Sequence, residues 1–515
     1  MKYLSGMDNL FLAMDKGNQH LHVASLSIYD PSTAPGGKVR FKAILSHFSN
    51  RLNVSKIFRR RLVAARFGLD RPYWIEDAEI DIEYHVRHIA LPHPGDWRQL
   101  MIQVARLHSR PLDMTKPLWE AYIIEGLDKI PGIPQGSFAL YMKMHHSAID
   151  GESGAAMLAA IHTLTPEQDA EATEDALTVL ADRDPTPVEL YARAVANRAQ
   201  QVFDGSKLLL ALGGRAAQAG RDFVASGRAA ELGKELVEGR GKLKPRPAND
   251  DNPGRKPQTR FDAPISANRV VDAVGFPLAD CKKIRQHVDK TTINDIFMSV
   301  TSGAVRQYLE AKGELPNKGM NAMVPMTIRG ENKGADEGNQ IGMTVMPLRS
   351  DIADPLERLN AVKRGANKNK AMNAIIGKEL PAQLIQVLPA GITELLLTKG
   401  MMAMANMTVS NVRGPDVPLY MAGAQLALFL PVSAISNDMG LNVTAFSYNG
   451  TLWVCFISCR KMMPDPSFFA QCLNDSFEAL VRAAVALGGP SRRPLAAAKR
   501  VTKSSPVKSA GKKSK

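Results

Sequence analysis

The sequence predicts a mixed α/β protein of two globular units joined by a helical connector, and three observations predict it. The chain has 515 residues, too many for one ordinary core and suited to two. Strand-like runs alternate with helical spacing both before Pro166 and after Phe261. Between these stretches, and again near the end, the sequence turns Ala-, Lys- and Pro-rich and loses the patterning of a packed core. The expected boundaries are therefore a first lobe at 1–166, a helical and basic connector at 167–260, a second lobe at 261–490, and a disordered Lys-rich tail at 491–515.

The elements follow in order. His22 to Tyr29 alternates as a strand does, while Phe41 to Leu52 and Leu100 to His108 have helical spacing. Trp119 to Leu127 and Ser137 to His145 read as strands by length and apolar enrichment. Gly151-Glu152-Ser153-Gly154 turns the chain into an apolar helix from Ala155 to Leu164. Val188 to Glu238 is a basic, Ala-rich helical stretch, and Lys242 to Thr259 is loop. In the second lobe Asn294 to Ala311 is a helix, Gly319 to Ile328 and Gly342 to Leu348 are strand-like, and Pro355 to Thr398 is mostly helical. Met407 to Val412, Val432 to Ala434, Leu441 to Ser447 and Trp453 to Ser458 are strand candidates before a last helix, Phe468 to Leu487. No fixed-period repeat is visible.

Composition narrows the function classes. Apolar residues make up 45% and charged residues 23%, as in ordinary globular proteins. The net charge of +14 is misleading, because residues 491–515 hold nine Lys or Arg and no acid. The body carries only about +5, which gives little support for a specific nucleic-acid surface. Four scattered cysteines make no disulfide framework, and Cys455 and Cys459, on one strand face but roughly 13 Å apart, cannot share a zinc. A reducing, cytoplasmic compartment is expected. Met1 to Gly17 carries Asp8, Asp15 and Lys16 and is no signal peptide. The most apolar run, Met421 to Ile435, is short and contains Pro431, so membrane association is expected to be peripheral.

The chemistry centres on His145-His146-Ser147-Ala148-Ile149-Asp150-Gly151, at a strand-to-helix junction. Such a junction projects side chains into a cleft from a rigid base. Moving an acyl group from a thioester to an alcohol needs one proton removed from the hydroxyl and one returned to the thiolate. A single imidazole does both near neutral pH. Adjacent histidines point in different directions, so His146 takes the base role and His145 supports it. Asp150 fixes the turn or pairs with a cation, and Gly151 permits close backbone approach. A His-His pair alone is more often structural; the Asp, the Gly and the junction raise its chemical content. No third ligand at suitable spacing argues for a metal at this motif. Gly151-Glu152-Ser153-Gly154 also lacks the Gly-x-Ser-x-Gly elbow of serine hydrolases.

The run from His145 to Gly151 resembles the HHxxxDG motif of CoA-dependent acyltransferases and peptide-synthetase condensation domains. Further segments resemble the wax ester synthase/diacylglycerol acyltransferase family. They are Leu4-Ser5-Gly6-Met7-Asp8, Ala105 to Ser109 with Pro111-Leu112-Asp113, Pro117-Leu118-Trp119-Glu120, and Asn294-Asp295. Val324-Pro325 through Arg329, Ser410 to Pro415, and Gly440 to Gly450 complete them. The resemblance spans about Tyr3 to Leu487, apart from the connector. It implies an α/β (α+β) fold of two similar lobes, like chloramphenicol acetyltransferase, with an interlobe tunnel and the catalytic histidine midway. It also implies long-chain acyl-CoA as co-substrate, and diacylglycerol or a long-chain fatty alcohol as acceptor. No metal or other cofactor is expected.

Further site residues come with alternatives. Pro117, Leu118 and Trp119 shape a substrate channel or pack the core. Asn294 and Asp295 orient substrate or stabilise an oxyanion, or simply cap their helix. In related acyltransferases the motif aspartate pairs with an arginine; Arg59, Arg60, Arg61 and Arg329 are the candidates for Asp150, with the first three favoured. The 23 methionines suit a pliable apolar channel or a core equally. The connector helix and Lys-rich tail suit an anionic membrane or lipid-granule surface, or ordinary packing in the helix's case. Two rival functions remain: a related acyltransferase using a polyketide or peptidyl acceptor, and a non-enzymatic lipid-granule or nucleic-acid binding protein. Oligomeric state is not legible.

Overall fold

Two six-stranded sheets organise the chain in the computed structural model, the first drawing strands from both halves. It describes residues 1–65, 68, 70–77, 79–149, 158–167, 182–225, 255–327, 341–376, 385–388 and 390–487. The first half runs β1 (Lys2–Tyr3), α1 (Gly6–Met14), β2 (His22–Asp30), α2 (Phe41–Arg51), β3 (Arg60–Val63) and β4 (Tyr73–Glu76). It continues with β5 (Val86–Ala90), α3 (Trp97–His108), β6 (Trp119–Glu125) and β7 (Phe138–His145). Ser5 starts α1 by accepting the Asp8 N–H, and Asp96 with Gln99 forms a capping box on α3. α4 (Pro187–Ala225) lies within the connector.

The second half runs β8 (Arg269–Pro277), α5 (Leu278–His287), α6 (Ile293–Ala311), β9 (Asn321–Thr327), β10 (Ile341–Pro347), α7 (Pro355–Ile376) and α8 (Ala390–Leu396). It ends with β11 (Met407–Arg413), β12 (Tyr420–Met421), β13 (Ala424–Val432), β14 (Leu441–Tyr448), β15 (Thr451–Cys459) and α9 (Pro466–Leu487). β1, β3, β4, β5, β8 and β12 were not among the expected strands. β5 spans only five positions, Val-Arg-His-Ile-Ala, of which Val86 alone is buried, so it has too few apolar residues to stand out.

Strand order in the first large sheet is β12-β13-β2-β7-β6-β5, and in the second β10-β9-β11-β14-β15-β8. The connectivity corrects one expectation. Met421 to Ile435, read as an apolar run ending in a short strand, supplies β13, which pairs antiparallel with β2 from Gln425↔Asp30 to Val432↔Ala24. A strand from within 261–490 thus completes the first lobe's sheet. Pro431 is tolerated because β12 pairs β13 only at Ala424 and Gln425, leaving the rest of that edge unpaired by β12. A third, small sheet, β1-β4-β3, lies under α4. The α4 residues Leu190 and Ala194 are buried, Asn197 bonds Asp70 at 2.7 Å, and Gln201 bonds the Tyr3 hydroxyl at 2.8 Å. α4 is therefore docked by one face on the first lobe.

The halves meet in a methionine-rich seam. Met7, Leu10, Phe11 and Met14 of α1 pack with Met323, Val345, Met402 and Met439 of the second half. Gly6 lets α1 approach closely: a Cβ there would stand 2.4 Å from the Ile385 carbonyl oxygen. Trp97 adds a polar tie, its Nε1–H donating to Asp272 on β8 at 2.8 Å.

Candidate active site

β2 and β7 are neighbours, and their register sets His22 opposite His145. At the end of β7 the chain turns, and the two motif histidines part. The His145 ring is fully buried, whereas His146 is partly accessible. The His146 ring stacks on Phe11 of α1, centroids 4.1 Å apart, which places it against the seam between the halves. Its backbone N–H donates to the Leu21 carbonyl at 2.8 Å, and the His145 N–H donates to the Leu118 carbonyl at 3.0 Å. Two backbone bonds from opposite sides thus hold the His-His step.

The His145 tautomer follows from its partners. The Ser147 backbone N–H points at His145 Nδ1 from 3.1 Å, and the Ser147 hydroxyl lies 2.7 Å from the same atom. A peptide N–H only donates, so Nδ1 carries a lone pair and the proton sits on Nε2. Nε2 faces the Asp15 carboxylate at 3.3 Å. Asp15 also accepts the Leu21 N–H at 3.1 Å, lies 3.1 Å from His20 Nδ1, and stands 3.9 Å from His22 Nε2. Burial opposes its charge, but the hydrogen bonds from His145, His20 and the Leu21 N–H outweigh it and hold the carboxyl below the usual carboxylate range.

Deeper in the sheet the environment is dry. Burial, reinforced by the nearby Lys143 charge, pushes His22 well below its ordinary value. Burial pushes His108 down to about 3, and its Nδ1 lies 2.8 Å from the Tyr141 hydroxyl. Burial also lowers Lys143 to about 8, against the pull of Glu120 at 3.5 Å, while Nζ donates to the Leu107 and Arg110 carbonyls. The groups packed around His145 are thus buried, and of the two motif histidines His146 is the partly accessible one.

Of the other expected site residues, some lie elsewhere. The Trp119 side chain is sealed in the first lobe's core against Phe48, Phe58 and His85, with Nε1–H donating to the Phe58 carbonyl at 3.0 Å. It is a core residue, not a channel wall, because every side of the indole is occupied. Leu118 packs with Leu4 and Trp74 and against Ala148, bracing the motif turn from beneath; Pro117 precedes it and is also buried. Asp295 completes a capping box, accepting from the Thr292 N–H at 2.9 Å and hydroxyl at 2.7 Å. That spends its carboxylate on the helix start, and the cap is Thr292 rather than Asn294 or Asp295. The Asn294 Oδ1 accepts from Asn411 of β11 at 3.4 Å, joining two of the segments singled out in the sequence. Gly414, in that same β11 segment, allows close packing: a Cβ would meet the Phe446 ring at 2.2 Å.

Arg59 pairs with Glu76 at 2.9 Å, and Arg61 with Asp77 at 3.4 Å and with Asp184. Arg60 lies beside them on β3. Asp150, Gly151 and Arg329, and with them the proposed ion pair and most of the helix expected at Ala155, lie outside the described residues. Sequence reasoning missed Phe11, Asp15, His20, His22 and Ser147. The His20-Leu21-His22 alternation at the head of a strand was the one signal that placed two histidines on a common face.

The catalytic domain of wax ester synthase/diacylglycerol acyltransferase matches residues 4–297, and the family's C-terminal domain matches residues 337–481. A Mycobacterium tuberculosis protein named provisionally as a diacylglycerol O-acyltransferase is 31% identical over 89% of this chain and 92% of its own. A Mycobacterium bovis protein of the same designation is 29% identical over 92% of this chain and 98% of its own. Among solved structures, the wax ester synthase/diacylglycerol acyltransferase from Marinobacter aquaeolei VT8 superposes with a TM-score of 0.65 at 24% identity, covering 94% of this chain and all of that one. That likeness shows the two-lobed α/β fold.

Proposed function

The chain belongs to the wax ester synthase/diacylglycerol acyltransferase family, and on that footing we propose that His146 is the general base of its acyl transfer. The enzyme is an acyl-CoA-dependent O-acyltransferase. A His146 ring nitrogen takes the acceptor's hydroxyl proton as the oxygen attacks the thioester carbon. The tetrahedral adduct collapses, the C–S bond breaks, and the imidazolium returns its proton to the CoA thiolate. The observation that carries this reading is the placement of the His146 ring on Phe11, at the seam where the halves meet. An apolar seam suits acyl chains and keeps water from competing with the alcohol.

The acyl donor is a long-chain acyl-CoA, and the acceptor is diacylglycerol or a long-chain alcohol; the names of the mycobacterial relatives favour diacylglycerol. Asn294 and the bracing Leu118 are proposed to support the site, and Asp150 to stabilise the turn. No helix among the described residues is long and apolar enough to cross a membrane. Access to lipid acceptors is proposed to come from peripheral contact through the outer face of α4. The test is product analysis of the purified protein with palmitoyl-CoA, offering hexadecanol and dioleoylglycerol together. Triacylglycerol, wax ester or both is the expected product; CoA release without either ester, or no turnover at all, contradicts the reading.

A further inference from the structure

We infer that Asp15 is a positioning residue of the acyl transfer, its carboxylate fixing His146 through His145 and the Leu21 peptide. The inference rests on His146 being the base. One oxygen, Oδ2, is the common anchor: it accepts the Leu21 N–H at 3.1 Å and faces His145 Nε2 at 3.3 Å. The Leu21 carbonyl in turn holds the His146 N–H at 2.8 Å. The His145 ring, locked as the Nε2–H tautomer by the Ser147 N–H at 3.1 Å, fixes the turn on the far side of His146. Two short paths therefore lead from one carboxylate to the two residues flanking the base.

The helix adds a third link. Asp15 closes the C-terminus of α1, its N–H donating to the Leu12 and Phe11 carbonyls. Phe11 carries the His146 ring on its face, at 4.1 Å between centroids. The residue that pins the backbone of His146 thus also terminates the helix that supports its ring.

The cluster of Asp15, His20 and His22, with ligand atoms within 4.8 Å of one another, has the spacing of a cation site. The hydrogen bonds decide against that use. Oδ2 accepts the Leu21 N–H and faces His145 Nε2, and Oδ1 lies 3.1 Å from His20 Nδ1, so both oxygens already have protein neighbours. It is built as an acceptor, and charge-assisted bonds to it are about twice as strong as neutral ones.

The test compares Asp15→Ala and Asp15→Asn with wild type, each also in a His146→Ala background. Misplacing a catalytic group by an ångström costs on the order of 100-fold in rate. Asp15→Ala is expected to lower kcat about 100-fold, with KM for palmitoyl-CoA within about threefold of wild type. Asp15→Asn keeps the shape and one acceptor oxygen but loses the charge, and is expected to lose about 5- to 10-fold. In the His146→Ala background neither change should lower the residual rate further, because the effect travels through the missing ring. Both single variants folded and within twofold of wild-type kcat would overturn the inference. Losses that multiply in the His146→Ala background would overturn it too, by showing a general structural role. Should Asp15→Ala fail to fold, the Asn pair decides alone. A His146→Ala enzyme with wild-type turnover brings down the base assignment instead, and is read from the same data.

Discussion

Four histidines, His22, His85, His108 and His162, are held neutral by burial. His108 is lowered to about 3 and His162 to about 4, the latter tied by its ring nitrogens to the Tyr29 hydroxyl at 2.8 Å and the Leu158 carbonyl at 2.7 Å. Their folded values lie below the unfolded value near 6.5, so between the two the unfolded chain binds more protons. Stability is then fully present above about pH 6.5 and falls as pH drops toward 4, each histidine removing up to about 1.4 kcal/mol per pH unit. Denaturant titrations at pH 7, 6 and 5 should show a steep loss, and His162→Gln should flatten that slope by up to about 1.4 kcal/mol per pH unit. A stability independent of pH over this range contradicts the assignment. At this scale the sequence showed His146, because a seven-residue motif is local. It hid Asp15 and His22, whose contacts with His145 are made only when β2 and β7 pair, and His20, which meets Asp15 and His22.

Helix α4 illustrates how element-level reading succeeds in part. Ala-rich periodicity identified a helix, but which face docks depended on the small sheet, whose strands are two to four residues long. Leu190, Ala194, Asn197, Gln201 and Gly205 recur at helical spacing and face the body. Val188 (78% exposed), Tyr191, Val195, Val202 (73%), Phe203 and Leu210 look outward, with Arg193, Arg198 and Lys207 among them. Such a face suits an anionic lipid surface. Replacing Val202 and Phe203 by Glu is expected to cut binding to phosphatidylglycerol-containing vesicles at least tenfold, since each buried side chain contributes about 1.5–3 kcal/mol. Transfer to a short, soluble alcohol should be unchanged. Vesicle binding equal to wild type would remove α4 from the contact. Pro117-Leu118-Trp119 shows the opposite limit: periodicity alone does not separate a channel wall from a core, and the Phe58 carbonyl that receives the indole proton is distant in sequence.

The two lobes were legible as two stretches of patterned sequence separated by a compositional break. Their interlock was not, because β13 must leave its own half to pair with β2, and strand partners are set by tertiary packing rather than by local pattern. That exchange, the Trp97–Asp272 bond and the methionine seam bind the halves around His146. The most direct measurement is CoA release by wild-type and His146→Ala enzyme at saturating palmitoyl-CoA and hexadecanol, alongside their melting temperatures. Loss of the general base predicts a fall in kcat of about 100- to 10,000-fold with Tm essentially unchanged. A His146→Ala enzyme that folds and turns over within a few-fold of wild type would contradict it.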